Sequence, residues 1–249
     1  MHKFFSLLFS IFFISGHALL AETTQQDSVT FSYRGFQANE AQVLNVPYLP
    51  QANSSIKREI DLLYNLGLSP EVLTFFQSIS IKVINHTPAA GAATGIEGLY
   101  QQGEGNGIIL NIAINNGNLN ATALLHELLH AFHDQRLPDG FNNQTIKNYY
   151  QDAVNRRCYN WVLDDYFGYP TLDHYCLRNQ REFFAVTATT YLFGQDLNRE
   201  PHLLQDIQEK QPEYYLFLQQ LFGSNAGSYY DSSIQGSEER YWLEFEDDL

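Results

Sequence analysis

The sequence has few basic residues, and beyond its N-terminal segment it has no apolar run long enough to cross a bilayer. Fourteen Lys and Arg residues against 28 Asp and Glu residues give a formal net charge of −14. Such an excess of negative charge repels phosphate backbones and anionic lipid surfaces. Nucleic acid is therefore not an expected partner, and neither is a membrane once the N-terminal segment has been removed.

Internal repeats and Pro- or Ser-rich linkers are also missing, and only 16 Gly and 8 Pro occur among 249 residues. This composition excludes collagen-like, low-complexity and wholly disordered chains. In contrast, 16 Tyr and 18 Phe residues supply enough large apolar surface for one well-filled core. We expect one compact domain over residues 22–222, followed by an acidic C-terminal tail over residues 223–249.

The N-terminal segment has the composition of a secretory signal peptide. Residues 1–3 include Lys3, residues 4–14 form an apolar run, and small residues follow up to Ala21. We predict a signal peptide over residues 1–21, cleaved after Ala21 or, as a second choice, after Ala18. The alternative is an uncleaved anchor or a buried helix. A cleaved signal peptide predicts a secreted or periplasmic protein.

Two cysteines, Cys158 and Cys176, lie 18 residues apart. Because an exported protein can oxidise its thiols, we predict a single disulfide between them. The alternative is a pair of buried thiols.

Hydrophobic periodicity predicts a small sheet followed by a mainly helical half, which is an α+β arrangement. The predicted strands are residues 29–36, 79–84 and 107–114, and a glycine-rich loop over residues 91–107 allows a short strand around residues 98–100. The predicted helices are residues 54–66, a helix capped by Ser69 and Pro70, and residues 121–136, 143–157, 178–193, 201–210 and 212–222.

The central helix contains the sequence His126-Glu127-Leu128-Leu129-His130. Positions i and i+4 of a helix project from one face, so both imidazoles can reach one metal ion. Two imidazoles and a carboxylate suit zinc, and Glu127 is placed to take a proton from water activated by that ion. The alternative is a helix with two histidines on a half-buried face.

A catalytic zinc site needs a third protein ligand. The metzincin pattern requires a histidine ten positions after His126, but that position is Arg136. His133 follows the face of His130 and is one possible ligand. Glu182 is the better candidate, because a carboxylate on a strongly apolar helix needs a partner such as a metal. The alternative is a first-turn glutamate stabilised by the helix dipole.

These two motifs, residues 126–130 and, about fifty residues later, residues 182–185, resemble the gluzincin peptidases that include the anthrax lethal factor catalytic domain and the Mlc titration factor. The similarity to the titration factor pattern extends over residues 182–193. The resemblance spans roughly residues 108–222 and implies a zincin-like domain, in which a small mixed sheet packs against the central helix.

The resemblance further implies one zinc per chain, bound by His126, His130 and Glu182, with Glu127 as general base. In the lethal factor family a tyrosine seven residues before the glutamate ligand stabilises the transition state, and that position is Tyr175. Val186 stands where the lethal factor pattern has a carboxylate, so other residues must orient the zinc histidines.

The sequence therefore supports two functional hypotheses. The first is an exported zinc endopeptidase, in which a phenol or imidazole, from Tyr175 or His174, shares the negative charge that develops on a peptide carbonyl. Strand 107–114 would hold the peptide by strand addition. The second is a non-catalytic, zinc-containing module that binds a peptide or protein. Glu127 favours the enzyme, because a binding module needs no general base.

Overall fold

The computed structural model describes residues 30–42, 49–84, 98–103, 107–112, 119, 122–159, 161–164, 169–172, 174–194 and 204–224. The predicted signal peptide, and the predicted acidic tail beyond residue 224, lie outside these ranges. Within them, no helix has the length and apolar character needed to span a membrane.

The described residues form an α+β fold that is mostly helical. Its strands are β1 (Thr30–Tyr33), β2 (Phe36–Gln42), β3 (Ser80–Ile84), β4 (Gly98–Gln101), β5 (Gly107–Asn111), β6 (Trp161–Asp164) and β7 (Tyr169–Leu172). Its α-helices are α1 (Leu49–Asn65), α2 (Pro70–Ser78), α3 (Ala123–Arg136), α4 (Gln144–Arg156), α5 (Gln180–Phe193), α6 (Leu204–Lys210) and α7 (Pro212–Phe222). Two 3-10 helices cover Gly140–Asn142 and Tyr175–Leu177.

The main sheet is mixed, with five strands in the order β1-β2-β3-β5-β4. The pairs β1–β2 and β4–β5 are antiparallel, whereas β2–β3 and β3–β5 are parallel. Strands β6 and β7 form a separate antiparallel hairpin. In the described part of the chain β5 therefore has partners on both sides, and β4 lies at the edge of the sheet.

One face of the sheet is covered by helices. The buried strand residues alternate with more exposed ones and point to this face: Phe36, Ala38, Ile81, Val83, Ile108 and Leu110. They share one core with apolar residues of α1 and α3, among them Ile56, Ile60, Leu124 and Leu128. Period-2 burial in strands and one apolar helix face are what this layered arrangement requires.

The prediction of one strand over residues 29–36 is corrected by a hairpin. The chain turns at Arg34 and Gly35, which both have positive φ, 46° and 83°. Positive φ at both central residues is the backbone of the tight turns that match strand twist. The segment thus supplies β1 and then β2, which extends to Gln42.

Helix α5 packs against α3 and carries the predicted third ligand near its first turn. The Asn179 side chain accepts hydrogen bonds from the backbone N–H groups of Arg181 and Glu182, at 2.9 and 3.1 Å, and so fixes the start of the helix. Phe184 stacks on Phe132 of α3, with ring centroids 6.4 Å apart. This packing sets the distance between the two ligand-bearing helices.

The predicted disulfide is wrong: Cys158 and Cys176 are both buried thiols and are not joined to each other. Each is held by its own local contacts. The Cys158 N–H donates to the Ala153 carbonyl at the end of α4, and the Cys176 N–H donates to Nδ1 of His174. Burial also raises the pKa of the Cys158 thiol, which disfavours the thiolate that disulfide exchange requires.

Candidate metal centre

Three side chains from two helices converge on one point. Helix geometry places His126 and His130 one turn apart on α3, and their Nε2 atoms are 3.2 Å apart. Oε2 of Glu182, on α5, lies 3.3 Å from each Nε2 atom. The side chains of the two histidines are 12% and 9% exposed and that of Glu182 is 18% exposed, so the group is largely shielded but open to a ligand.

The spacing of these donor atoms fits a tetrahedral metal. Zinc bonds to imidazole and carboxylate of about 2.0 to 2.2 Å imply donor–donor distances of about 3.3 to 3.6 Å at tetrahedral angles. The observed triangle has sides of 3.2, 3.3 and 3.3 Å. Two imidazoles and one carboxylate are also the donor set of many catalytic zinc sites. His126, His130 and Glu182 could therefore hold a metal ion.

The electrostatics of Glu182 agree with a cation site. Oε2 is buried, and no hydrogen bond of normal geometry reaches it from the described residues. Burial alone would raise the pKa of the carboxyl group, but the adjacent imidazoles of His126 and His130 outweigh burial and hold the pKa well below its usual range. Glu182 is thus an anion at neutral pH, as a metal ligand must be.

Glu127, between the two histidines, is clamped against the edge strand. Its Oε2 accepts a hydrogen bond from the backbone N–H of Tyr100 at 2.6 Å. A Cβ atom on Gly98 would lie 2.7 Å from Cγ and 2.9 Å from Oε1 of Glu127. Since real Cβ contacts are essentially never that short, the carboxylate occupies space that only glycine leaves open.

Tyr100 also ties β4 to a more distant part of α3. Its hydroxyl donates to Asp134 at 2.8 Å and accepts from the Gln135 side chain at 2.9 Å. Gln102 donates to the other Asp134 oxygen at 2.6 Å. The edge strand is therefore fixed to α3 both beside Glu127 and two turns further along the helix.

Tyr175 lies beside the donor triangle. Its ring centroid is 6.4 Å from that of His126. Burial raises the pKa of Tyr175 to about 12. The negative charges of Glu182 and Glu127 also raise this pKa, whereas the positive charge of Arg178 lowers it. The hydroxyl is therefore protonated at neutral pH and lies near both carboxylates, where it can donate a hydrogen bond.

His133 and His174 are both buried, and neither belongs to the triangle of donor atoms. The His133 ring lies between Phe141 and Phe184, with centroids 5.2 and 4.9 Å away. Neither of its nitrogens has a hydrogen-bond partner among the described residues, and burial, with the charges of His130 and Arg181, lowers its pKa to about 3. Nδ1 of His174 accepts the Cys176 N–H at 3.1 Å, which caps a 3-10 helix. The structure therefore places neither imidazole in the donor triangle.

Phe141 forms an aromatic wall beside the centre. Its ring contacts His130 at 6.3 Å and Tyr100 at 6.0 Å, centroid to centroid. Gly140 makes this placement possible, because its φ is +54° and a Cβ atom there would lie 2.7 Å from the Asp134 carbonyl oxygen. The chain can thus turn back directly after α3.

Sequence reasoning missed Gly98, Tyr100 and Phe141, and the strand that it proposed for peptide docking is not an edge strand. Strand β5, the predicted docking strand, is paired on both sides, and β4 is the strand beside Glu127. A glycine inside a short strand was a usable signal for Gly98, since it marks a close approach of another group. The contacts of Tyr100 and Phe141 depend on tertiary packing and have no local signal.

The comparisons with known proteins add little to this geometry. Comparison with protein-family models gives no match, and neither does comparison with curated proteins. Among solved structures, the Pro-Pro endopeptidase from Paenibacillus alvei is similar at 19% sequence identity and a TM-score of 0.39. The alignment covers 74% of this chain and 94% of that one. A likeness at this level carries no functional argument.

Proposed function

We propose that this protein is a zinc-dependent endopeptidase that uses Glu127 as its general base. The observation that carries the proposal is the triangle of His126, His130 and Glu182 donor atoms, with sides of 3.2 to 3.3 Å. Glu127 stands directly between the two histidines in sequence and is held by Tyr100. One zinc per chain is part of the proposal.

Glu127 and Tyr175 each have a defined role in the proposed hydrolysis. Zinc, when bound, supplies a Lewis acid that acidifies water and stabilises negative charge on the peptide carbonyl. Glu127 takes a proton from the water that adds to the carbonyl carbon, and it delivers that proton to the amine as the C–N bond breaks. The Tyr175 hydroxyl donates a hydrogen bond to the oxygen on which charge develops.

The edge strand β4 is the proposed guide for an extended substrate. It pairs with β5 on one side, and among the described residues no strand pairs with its other side. An extended peptide added to an exposed edge gains main-chain hydrogen bonds that are independent of its side chains. Because β4 holds Glu127, a peptide aligned on this strand is brought next to the proposed base.

The proposed place of action is outside the cytoplasm, either secreted or periplasmic. The support for this part is the sequence of residues 1–21, with its cationic start, apolar run and small residues before Ala21. Release of the mature chain into the medium or periplasm of an expressing cell, with an N-terminus at residue 22, would test it.

The test of activity is cleavage of casein by the purified chain with equimolar zinc. We expect cleavage that a zinc chelator stops and added zinc restores, and that the variant Glu127→Gln lacks although it binds zinc. Glu127→Gln keeps the size of the side chain and removes the base. Cleavage by Glu127→Gln at the wild-type rate would show that the activity does not come from this site.

The alternative is a zinc-containing module that binds peptides without cutting them. It predicts that wild type and Glu127→Gln bind the same peptides equally well and that neither cleaves them. The clamp on Glu127 argues for the enzyme, because a fixed carboxylate beside a metal site is useful for proton transfer and serves no obvious purpose in binding alone.

A further inference from the structure

Two arginines flank the candidate centre of a strongly acidic protein. The chain carries a net charge of −14, yet Arg178 and Arg181 both lie within four residues of the ligand Glu182. Both side chains are exposed. Positive charge at this place is therefore a local feature that runs against the charge of the whole molecule.

The arginines sit on the two aromatic side chains that border the donor triangle. The Arg178 guanidinium carbon lies 4.6 Å from the ring centroid of Tyr175, whose ring neighbours His126. The Arg181 guanidinium carbon lies 4.2 Å from the ring centroid of Phe141, whose ring neighbours His130. Each of the two cations thus lies over an aromatic ring that neighbours a histidine of the centre.

Neither arginine is neutralised by a carboxylate within the part of the chain that the structure describes. Two other arginines of the described chain are paired in this way: Arg34 with Asp61 at 2.8 Å, and Arg156 with Asp152 at 2.9 Å. The two guanidinium carbons lie over the ring faces, 4.6 and 4.2 Å from the centroids. A guanidinium that stacks on a ring keeps its in-plane N–H groups available for hydrogen bonds. Those groups match the two oxygens of a carboxylate.

We propose that Arg178 and Arg181 form a carboxylate-binding site that selects acidic peptides for the centre. This inference rests on the proposed function and adds a substrate class to it. The carboxylate comes either from an Asp or Glu side chain near the bond to be cut or from the C-terminus of the peptide. In both cases, in-plane hydrogen bonds to a stacked guanidinium provide the selectivity.

The binding test uses Glu127→Gln loaded with zinc, so that no peptide is consumed. The probes are fluorescein-labelled decapeptides of Ala, Gly and Val, in which one Glu or one Gln is moved through the central six positions. A second pair of peptides contains no Glu. One member has a free C-terminal carboxylate, and the C-terminus of the other is amidated. We expect one Glu peptide, or the C-terminal acid, to bind about fivefold more tightly than its neutral partner, as for a partly exposed ion pair.

The arginine variants are made in the same background. Arg178→Gln and Arg181→Gln should each reduce this preference, and together they should abolish it while binding of the neutral peptides stays unchanged. Arg136→Gln is the matched control, because Arg136 also stacks on a ring, that of Phe75 at 5.4 Å, but near the C-terminal end of α3. It should retain the full preference.

The outcomes separate this proposal from the proposed function. Equal binding of Glu and Gln peptides and of acid and amide peptides, or a preference that survives in the double variant, would overturn carboxylate recognition. Casein cleavage by the wild type would still stand in that case. Preferential binding of acidic peptides by a protein that cleaves nothing would instead support carboxylate recognition and reject the peptidase.

Discussion

The backbone N–H of Tyr100 donates a hydrogen bond of 2.6 Å to the carboxylate of Glu127. This bond joins the edge strand of the sheet to the helix that carries both histidines. A hydrogen bond to one carboxylate oxygen fixes the direction of the other, which is the orientation that a general base needs.

Gly98→Ala is expected to displace Glu127 while leaving the metal ligands in place. The new Cβ atom would lie 2.7 Å from Cγ of Glu127, so the side chain has to shift. A displacement of about 1 Å at a catalytic group can lower turnover by about 100-fold. Casein cleavage should fall accordingly, whereas zinc content measured by atomic emission should remain at one per chain.

Leu99→Ala is the control for this prediction, because Leu99 belongs to the same strand and its side chain is 43% exposed. It should retain most of the wild-type activity. Wild-type turnover in Gly98→Ala would show that the Glu127 side chain adapts and that the close approach has no catalytic role.

Glu182→Ala and Glu127→Gln are expected to separate metal binding from catalysis. Glu182→Ala removes one of the three donor atoms, which lie 3.2 to 3.3 Å apart. Loss of a residue that only orients a ligand lowers metal affinity by about 10- to 100-fold, so loss of the ligand itself should lower zinc affinity further. Glu127→Gln keeps all three donors and should bind zinc as the wild type does. Competition with a coloured chelator measures both affinities.

His133→Ala is the control for the identity of the third ligand, since His133 lies outside the triangle. If His133→Ala loses zinc while Glu182→Ala keeps it, the assignment of the third ligand to Glu182 is wrong.

Tyr175→Phe is expected to keep zinc and fold but to lower turnover by about 100-fold, the effect of removing one hydrogen-bond donor to a developing oxyanion. Because the pKa of Tyr175 is raised to about 12, the hydroxyl stays protonated through the neutral range. Its contribution to turnover should therefore be independent of pH between about pH 6 and pH 10. The ratio of wild-type to variant turnover over that range measures it, and a ratio near one would remove Tyr175 from the mechanism.

His133 is expected to make the fold sensitive to acid. Its pKa is about 3 in the folded protein, against about 6.5 for an ordinary imidazole, so the unfolded chain binds the proton first as pH falls. The free energy of unfolding should therefore decrease below about pH 6.5, by at most about 1.4 kcal/mol per pH unit, until about pH 3. Urea unfolding of the metal-free protein at several pH values measures this slope.

His133→Leu removes the titrating group but keeps an apolar side chain between Phe141 and Phe184. The slope should become shallower in this variant by the contribution of one proton. An unchanged slope would mean that other groups cause the acid sensitivity.

The sequence predicted those features that depend on residues close together in the chain. Ser69 and Pro70 predicted the start of α2, and the structure shows the Ser69 side chain accepting the Val72 N–H with Pro70 in the first turn. The HExxH spacing and the apolar context of Glu182 predicted three donors that the fold does bring together. Helical periodicity alone places i and i+4 side chains on one face.

Such local patterns did not predict which strands or side chains from distant parts of the sequence lie next to each other. The pattern of β5 shows that the strand is buried but does not show which strands lie on either side of it, so its exposure as a docking edge was wrongly predicted. The turn at Arg34 and Gly35 lacks the Asn-Gly or Asp-Gly pair that marks most such hairpins. The spacing of Cys158 and Cys176 shows how long the intervening loop is but not how the two thiols are oriented.

The turn at Gly140 carries no chemical group, yet it determines where Phe141 lies and therefore where Arg181 rests. A larger residue at position 140 would push against the Asp134 carbonyl and move the ring, whereas His126 and His130 lie within α3 and Glu182 lies within α5, outside this turn. Under the proposed function, a change in this turn would therefore alter which peptides are accepted without altering the proposed zinc ligands or Glu127. Selectivity and catalysis would then depend on different parts of the chain and could change independently during evolution.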